Sequence, residues 1–351
     1  VQATAPRVGM VNRIINGDMR IDQRNAGAEV TQIVGTPYTV DRFYIYGSVT
    51  SKFTAQQNAG SVTPPTGFIN YLGMTSSSAY TVGASESFQV ISRIEGLNIA
   101  DLGWGTATAQ TITLSFWVRS SLTGAFSGAI RNSAANRSYP FLYTVFTANT
   151  WEQKSVTIAG DTSGTWLTTN GTGIIANFSL GVGTTSSGTA GAWAAANYAA
   201  ATGSTSVVGT SGATFYVTGV QLEVGSVATP FEHRQYGQEL ALCQRYYERK
   251  VVNVGGGGQA VGHGFQMAAT TTSQIFVYPA VYMRANPSVT MSNLQVTDNT
   301  SWGGAATAFN GVGSKPHTVR LNVVHNSGGT SYRPCALQEN GNGYLDLNAE
   351  L

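Results

Sequence analysis

Charge is scarce in this chain: Asp, Glu, Lys and Arg make up 10% of its 351 residues, against about 25% in an ordinary soluble domain. The polar surface must therefore come from Ser, Thr, Asn, Gln and 42 glycines. Such a surface is neutral and hydrogen-bonding, and suits the outside of a particle or contact with sugars better than a crowded cytosol. The net charge of +2 comes with no block of like sign, so the clustered cations of nucleic-acid binding are missing. No run approaches the about 20 apolar residues of a membrane-spanning helix. Residues 1–7 lack the apolar centre of a signal peptide, so export by the usual route is not expected. Two cysteines, Cys243 and Cys335, are too few for a disulfide scaffold. One bridge between them and two reduced, buried thiols are the two readings, and the habit of free Cys to be buried favours the second.

Catalytic signatures are absent as well. No G-x-S-x-G nucleophile elbow occurs. The four histidines, His233, His263, His317 and His325, show no zinc-ligand spacing. His317 and His325 bracket one expected strand, which at ~3.3 Å per residue puts them more than about 20 Å apart. The glycines at 255–258 are not followed by a helix, and 311–315 lacks the Gly-Lys-Ser/Thr of a phosphate loop, so both read as linker or hairpin. No pair of carboxylates suited to glycoside cleavage can be picked from the 17 acids by position alone. The expectation is a protein without enzymatic activity.

What is present is β-structure. Short runs rich in Val, Ile, Thr, Phe and Tyr alternate with Gly, Ser and Asn turns, as in sandwiches. Residues 39–46 read TVDRFYIY and 152–159 read EQKSVTIA. In 111–120 (TITLSFWVRS), Ile112, Leu114, Phe116 and Val118 share one face and Thr113, Ser115, Trp117 and Arg119 the other. In 215–224 (FYVTGVQLEV), strict alternation sets Phe215, Val217, Gly219, Gln221 and Glu223 against Tyr216, Thr218, Val220, Leu222 and Val224. The Gly/Ser/Thr/Ala-rich stretch 160–212 passes for low complexity, but Trp166, Ile174, Ile175, Phe178, Leu180 and Trp193 read as anchors of further strands.

One segment breaks the pattern. Thr229 and Glu232 form a capping-box spacing with Pro230 between them. A helix is expected from about 238 to 250, with Leu240, Cys243 and Tyr247 on one row, Leu242 and Tyr246 on a second, and Tyr236 just before. Arg245, Arg249 and Lys250 would then sit at its dipole's negative end. Strands return at 274–283, 287–291, 317–325, 332–338 and 343–351. The fold class expected is all-β: two β-sandwich, jelly-roll-like domains joined by a short α-helix. Its parts are an N-terminal anchoring arm (1–10), a first domain (11–229), a linker helix (230–250) and a C-terminal sandwich (251–351).

Three segments resemble bacteriophage tail-fibre and virion appendage proteins: NRIINGDMRIDQR (12–24) with YTVDRFYIY, TLSFWVRS with TWEQKSVTIAGDTSGTW, and FYVTGVQLEVGSVATPFEHRQYGQELALCQRYYERK. The last, a closing jelly-roll strand, a T-P-F-E link and a helix ending in C-Q-R-Y-Y, is the most specific. The resemblance implies a virion component, a homotrimer attached to other virion proteins through the N-terminal arm and displayed on the extracellular particle. Helix residues Tyr236, Leu240, Cys243, Tyr246 and Tyr247 are the candidate oligomer interface, with the bridging of two sandwiches as the alternative role.

The first domain also resembles carbohydrate-binding jelly rolls, which open with an Asn-Gly-Asp-like strand and close with an acidic one. In that family the two strands often hold a structural calcium. Asp18 and Glu223 are the carboxylates on offer here, whereas Gln221 stands where relatives carry an acid, so no cofactor is expected. The other reading makes Asn16-Gly17 a turn capped by Asp18. For host glycans, Trp117 with Arg119 is the candidate platform, weighed against coverage of that face by loops or a neighbour. Trp104, Trp151, Trp166, Trp193 and Trp302 lie near turns and are weaker candidates. The expected function is structural display on a phage particle with adhesion to surface glycans; the alternatives are a dedicated glycan-binding adhesin and, last, a polysaccharide depolymerase.

Overall fold

The computed structural model describes residues 10–251, 260–298 and 303–351. The chain divides into two units, Val1–Gln235 with Leu351, and Tyr236–Glu350. The arm at 1–9, the glycine run at 255–258 and Trp302 lie outside the described residues. Among the described residues, no helix is long and apolar enough to cross a membrane.

The first unit is a sandwich of two antiparallel sheets. One has the order β1 (Val30–Thr31), β3 (Phe53–Gln57), β4 (Leu72–Ser76), β13 (Thr214–Val224), β6 (Ile112–Ser120), β9 (Glu152–Ile158). The other runs β2 (Phe43–Gly47), β5 (Ser87–Glu95), β10 (Thr172–Val182), β7 (Gly124–Asn132), β8 (Ser138–Val145). A short parallel pair, β11 (Ser187–Gly188) with β12 (Ala200–Ala201), ties down the long loop before β13. The alternating apolar residues of both sheets meet in one core. Phe116 of β6 touches Tyr143 and Phe178 of the other sheet, each with ring centres 4.9 Å apart. Ile112, Leu114, Phe116 and Val118 are all buried there, as their period-two spacing implies.

Strand β13 departs from strict alternation. Its register against β6 shifts between Thr218 and Gln221, and Gly219 has φ +60. That bulge inserts one residue, so Phe215 and Val217 share the core with Val220 and Leu222 rather than opposing them. Glycine is required twice over: a Cβ at 219 would lie 2.6 Å from Phe68 Cζ and 3.1 Å from Trp117 Cδ1 in a left-handed backbone.

The opening segment is buried without becoming a strand. Ile14, Met19 and Ile21 sit in the interior, and asparagine side chains satisfy the backbone that no ladder serves. Asn12 Oδ1 accepts from Ile14 N (2.9 Å) and Leu222 N (3.0 Å) while its Nδ2 donates to Val220 O (3.0 Å). Asn16 does the same for Ile21 N and O and for Asp41 O. Residues 16–19 form the turn, closed by Met19 N donating to Asn16 O at 2.9 Å.

The second unit holds α1 (Tyr236–Gln244) and seven strands: β14 (Tyr247–Val251), β15 (Ala260–Gln266), β16 (Thr272–Val277), β17 (Ser288–Thr297), β18 (Gly303–Lys315), β19 (Thr318–His325) and β20 (Pro334–Asn348). Its layers are parts of one sheet that closes on itself, because β20 pairs with β17 along both its halves and with β15 and β14 on its other edge. Ile275, Val296, Val319, Leu321, Leu337 and Leu347 fill its core.

The helix is shorter than its pattern implies. Tyr247 opens a strand paired with Asn348, so the helix stops at Gln244. The cations expected at its end serve the sheet instead: Arg249 makes two 2.8 Å bonds to Asp346, and Lys250 Nζ lies 2.7 Å from Glu248. No capping box forms either. The Glu232 carboxylate accepts from Asn12 N (2.9 Å) and Arg234 (2.8 Å), and Thr229 Oγ1 donates to Glu223 (2.7 Å). Cys243 and Cys335 are not joined by a disulfide, and both are buried.

Candidate functional site

Trp117 and Arg119 lie on the outward face of the six-stranded sheet, as β6 alternation requires, and both are half-buried. Arg119 Nε donates to Asn149 O at 3.0 Å, and its guanidinium stands 5.5 Å from the Tyr216 ring centre. Trp117 borders Phe68 across Gly219, and Phe68 packs on Phe231 (5.2 Å) and His233 (5.4 Å). The pair is thus engaged by side chains of its own unit. Trp104, Trp166 and Trp193 form a mutual edge-to-face cluster with centroids 4.6–5.5 Å apart. Trp151 packs edge-on to Tyr71 and donates to Thr63 O at 2.9 Å.

The carboxylates considered for calcium are already engaged. Glu223 is fully buried and accepts from Thr229 N (2.8 Å), Thr229 Oγ1 (2.7 Å) and Gln221 Nε2 (2.9 Å). Arg20 Nε lies 2.9 Å from Asp18 Oδ2. A guanidinium on one carboxylate and three donors on the other do not fit an ion that needs six to eight oxygens. Among the described residues, no group of three or more His, Cys, Asp or Glu could hold a metal.

The helix residues expected at an oligomer interface differ in exposure. Cys243, Tyr246 and Tyr247 are buried, at 1%, 0% and 2% exposure. Tyr236 is exposed and Leu240 half-buried.

A site missed by the sequence reading lies on the outward face of the five-stranded sheet. Cross-strand register builds it in rows: Tyr44 beside Ile91 and Asn177, Tyr46 beside Gln89 and Ser179, and Arg93 beside Ile175 beside Arg131. Apart from Asn177 and Ser179, these residues line a groove of about 340 Å³ together with Ser85, Ser87 and the loop residues Ser186, Asn197 and Ala199. The loop is held over the sheet by backbone bonding. Ala199 N donates to Ser186 O (2.7 Å), and Asn177 Nδ2 from the sheet donates to Ala199 O (2.7 Å).

Polar contacts inside the groove are specific. Arg131, 9% exposed, donates from Nη2 to Gln89 Oε1 and from Nη1 to Asn197 Oδ1, each at 3.0 Å. Arg93 lies over the Tyr44 ring at 4.9 Å. Tyr44 in turn packs on Tyr38 at 5.4 Å, with Arg24 over Tyr38 at 4.4 Å. Burial holds the Tyr44 hydroxyl above its usual range despite the nearby arginines, and burial pulls the Arg131 guanidinium down to about 10. Tyr46 is half-buried and is the accessible ring of the set. The signal available in sequence was the polar alternation of β5, in which Ser87, Gln89, Ile91 and Arg93 oppose Phe88, Val90 and Ile94.

No known family matches the sequence, and no curated protein matches it. Among solved structures it is similar to a CBM4 module at 14% identity, over 60% of this chain and 98% of that one, with a TM-score of 0.29. A family 11 carbohydrate-binding module of a cellulosomal cellulase from Clostridium thermocellum shares 10% identity over 57% of this chain and 99% of its own, with a TM-score of 0.26. The enzymatically active domain of tailspike protein 4 from bacteriophage CBA120 shares 10% identity over 61% of this chain, with a TM-score of 0.31; the match spans 22% of the tailspike's length. Likenesses of this strength decide neither ligand nor partner, which rest on the residues of this chain.

Proposed function

We propose that the groove on the five-stranded sheet of the first unit binds carbohydrate, and that the chain is a non-enzymatic binding and display component of a bacteriophage particle. The groove itself carries the reading. Its volume of about 340 Å³ falls in the range of about 300–1,000 Å³ typical of small-ligand sites. Its lining combines tyrosine rings, which stack on sugar faces, with Ser, Gln, Asn and Arg groups that hydrogen-bond hydroxyls. No Asp or Glu lines it, whereas glycoside cleavage generally uses a carboxylate pair. That composition supports binding without cutting.

The particle assignment rests on the resemblance of residues 12–24 and 215–250 to phage appendage proteins, with trimerisation and attachment through 1–10 as its corollaries. Light scattering at one chain's mass would refute the trimer.

The direct test is isothermal titration of the full chain with oligosaccharides cut from candidate host polysaccharides. Tyr46→Ala lowers affinity about tenfold, the equivalent of about 1.4 kcal/mol, and Trp117→Ala leaves it unchanged. Loss of binding in Trp117→Ala with Tyr46→Ala unaffected moves the site to the other sheet. No saturable binding to any saccharide leaves a purely structural role.

A further inference from the structure

Arg93 and Arg131 occupy equivalent positions on either side of one residue. Ile175 of β10 pairs with Arg93 of β5 on one edge and with Arg131 of β7 on the other. At about 4.8 Å between strands, the two arginine backbones are about 10 Å apart across the groove floor. Two guanidinium groups are therefore set into one concave surface whose lining contains no Asp or Glu, and Arg93 directs its Nη1 to Leu351 O.

Arg131 is the more telling of the two. A guanidinium carries five N–H donors, and Arg131 spends two of them, on Gln89 Oε1 and Asn197 Oδ1. Both acceptors are neutral amide oxygens, which fix the plane of the group without cancelling its charge. Its Nε is buried without a hydrogen-bond partner. Burying a cation this way is costly unless an anion compensates it, and the lowered pKa of the group expresses that cost. Arg93 adds like charge close by, which deepens it. Side chains that merely supported the fold would be better served by a neutral residue at 131. A ligand bearing a carboxylate in the groove would supply the missing charge and accept from a planar, pre-oriented fork, the geometry in which arginine bonds are strongest.

We propose that the groove selects acidic saccharides, with the anionic group of a uronic-acid-type sugar seated between Arg131 and Arg93 and a sugar face against Tyr46. The proposal rests on the reading of the groove as the glycan site. It names the chemistry of the ligand, an anionic group on a sugar ring, which a carboxylate or a sulfate ester can provide.

The test uses the whole chain and three probes in calorimetric titration: an oligogalacturonide, the same oligomer after carboxyl reduction to its neutral form, and a sulfated oligosaccharide of equal length. The oligogalacturonide is expected to bind at least about tenfold tighter than its reduced form, with the advantage shrinking as NaCl is raised from 50 to 500 mM. Stronger binding by the sulfated oligomer than by the oligogalacturonide assigns the anion as sulfate and keeps the acidic selectivity. Arg93→Gln and Arg131→Gln each reduce the acidic-to-neutral ratio toward one, while Arg131→Lys retains part of it. Circular dichroism of each variant separates this effect from loss of fold, and the wild-type ratio needs no variant at all. Equal or tighter binding of the reduced oligomer overturns acidic selectivity while leaving the groove a glycan site. No binding of any of the three, together with no binding of neutral host oligosaccharides, removes the site itself.

Discussion

At the scale of single residues, the chain shows how buried polar groups are handled where few charges are available. Asp41 is fully buried, and burial raises its carboxyl from 3.8 to about 6 despite Arg24 at 3.7 Å and bonds from Gln23. The folded carboxyl thus keeps its proton up to about pH 6, whereas the unfolded one loses it near 3.8. Folding takes up a proton between those values, so this group's contribution is fully present below pH 3.8 and lost as pH rises through 6, by about 3 kcal/mol. Urea unfolding from pH 4 to 7 is expected to show that decline in wild type and a flattened slope in Asp41→Asn; an unchanged slope in the variant assigns the decline elsewhere. The groove residues belong to this scale too. Trp117 stood out in the sequence because a tryptophan on a Thr/Ser face is conspicuous. Arg93 and Arg131 did not, because only the pairing of both with Ile175 brings them together, and no local pattern announces that β10 lies between β5 and β7.

At the scale of elements, period-two alternation located the strands, and its failures mark places where a longer-range contact overrides the local pattern. The bulge of β13 is one. Gly219→Ala is expected to destabilise by about 1–2 kcal/mol, because a left-handed backbone disfavours a Cβ and Phe68 occupies the space 2.6 Å from it. Gly237 in α1 has nothing within 4 Å of an added Cβ, so Gly237→Ala is expected to be neutral or stabilising by about 0.5 kcal/mol. Denaturant midpoints of the two variants check both signs; equal effects would contradict the bulge's role. The helix is the second failure. Residues 245–250 carry a helical pattern of cations, but β20 offers them a strand partner with Asp346 opposite Arg249, and pairing prevails over a short helix of marginal intrinsic stability. The opening segment is the third: Asn12 and Asn16 satisfy the backbone locally, which removes the need for a ladder.

At the scale of the whole molecule, the all-β class and the sandwich of the first unit were legible because alternating apolar residues on many short strands have few other ways to be buried. The closure of the second unit's sheet was not. It depends on one long strand, β20, whose two halves take different partners on one edge and the same partner on the other. The function was legible only as a class. A charge-poor surface pointed to display and sugar contact, but the groove exists only once the loop carrying Ser186 and Asn197 folds over strands far from it in sequence. The central claim is therefore about place: the outward face of the five-stranded sheet is where this chain meets carbohydrate. Hydrogen–deuterium exchange of the full chain, with and without saturating host polysaccharide, tests it most directly. The account predicts protection concentrated in β2, β5, β7 and β10 and in the loop at 186–199, with the face bearing Trp117 and the second unit unchanged. Protection confined to the Trp117 face or to the second unit would contradict it.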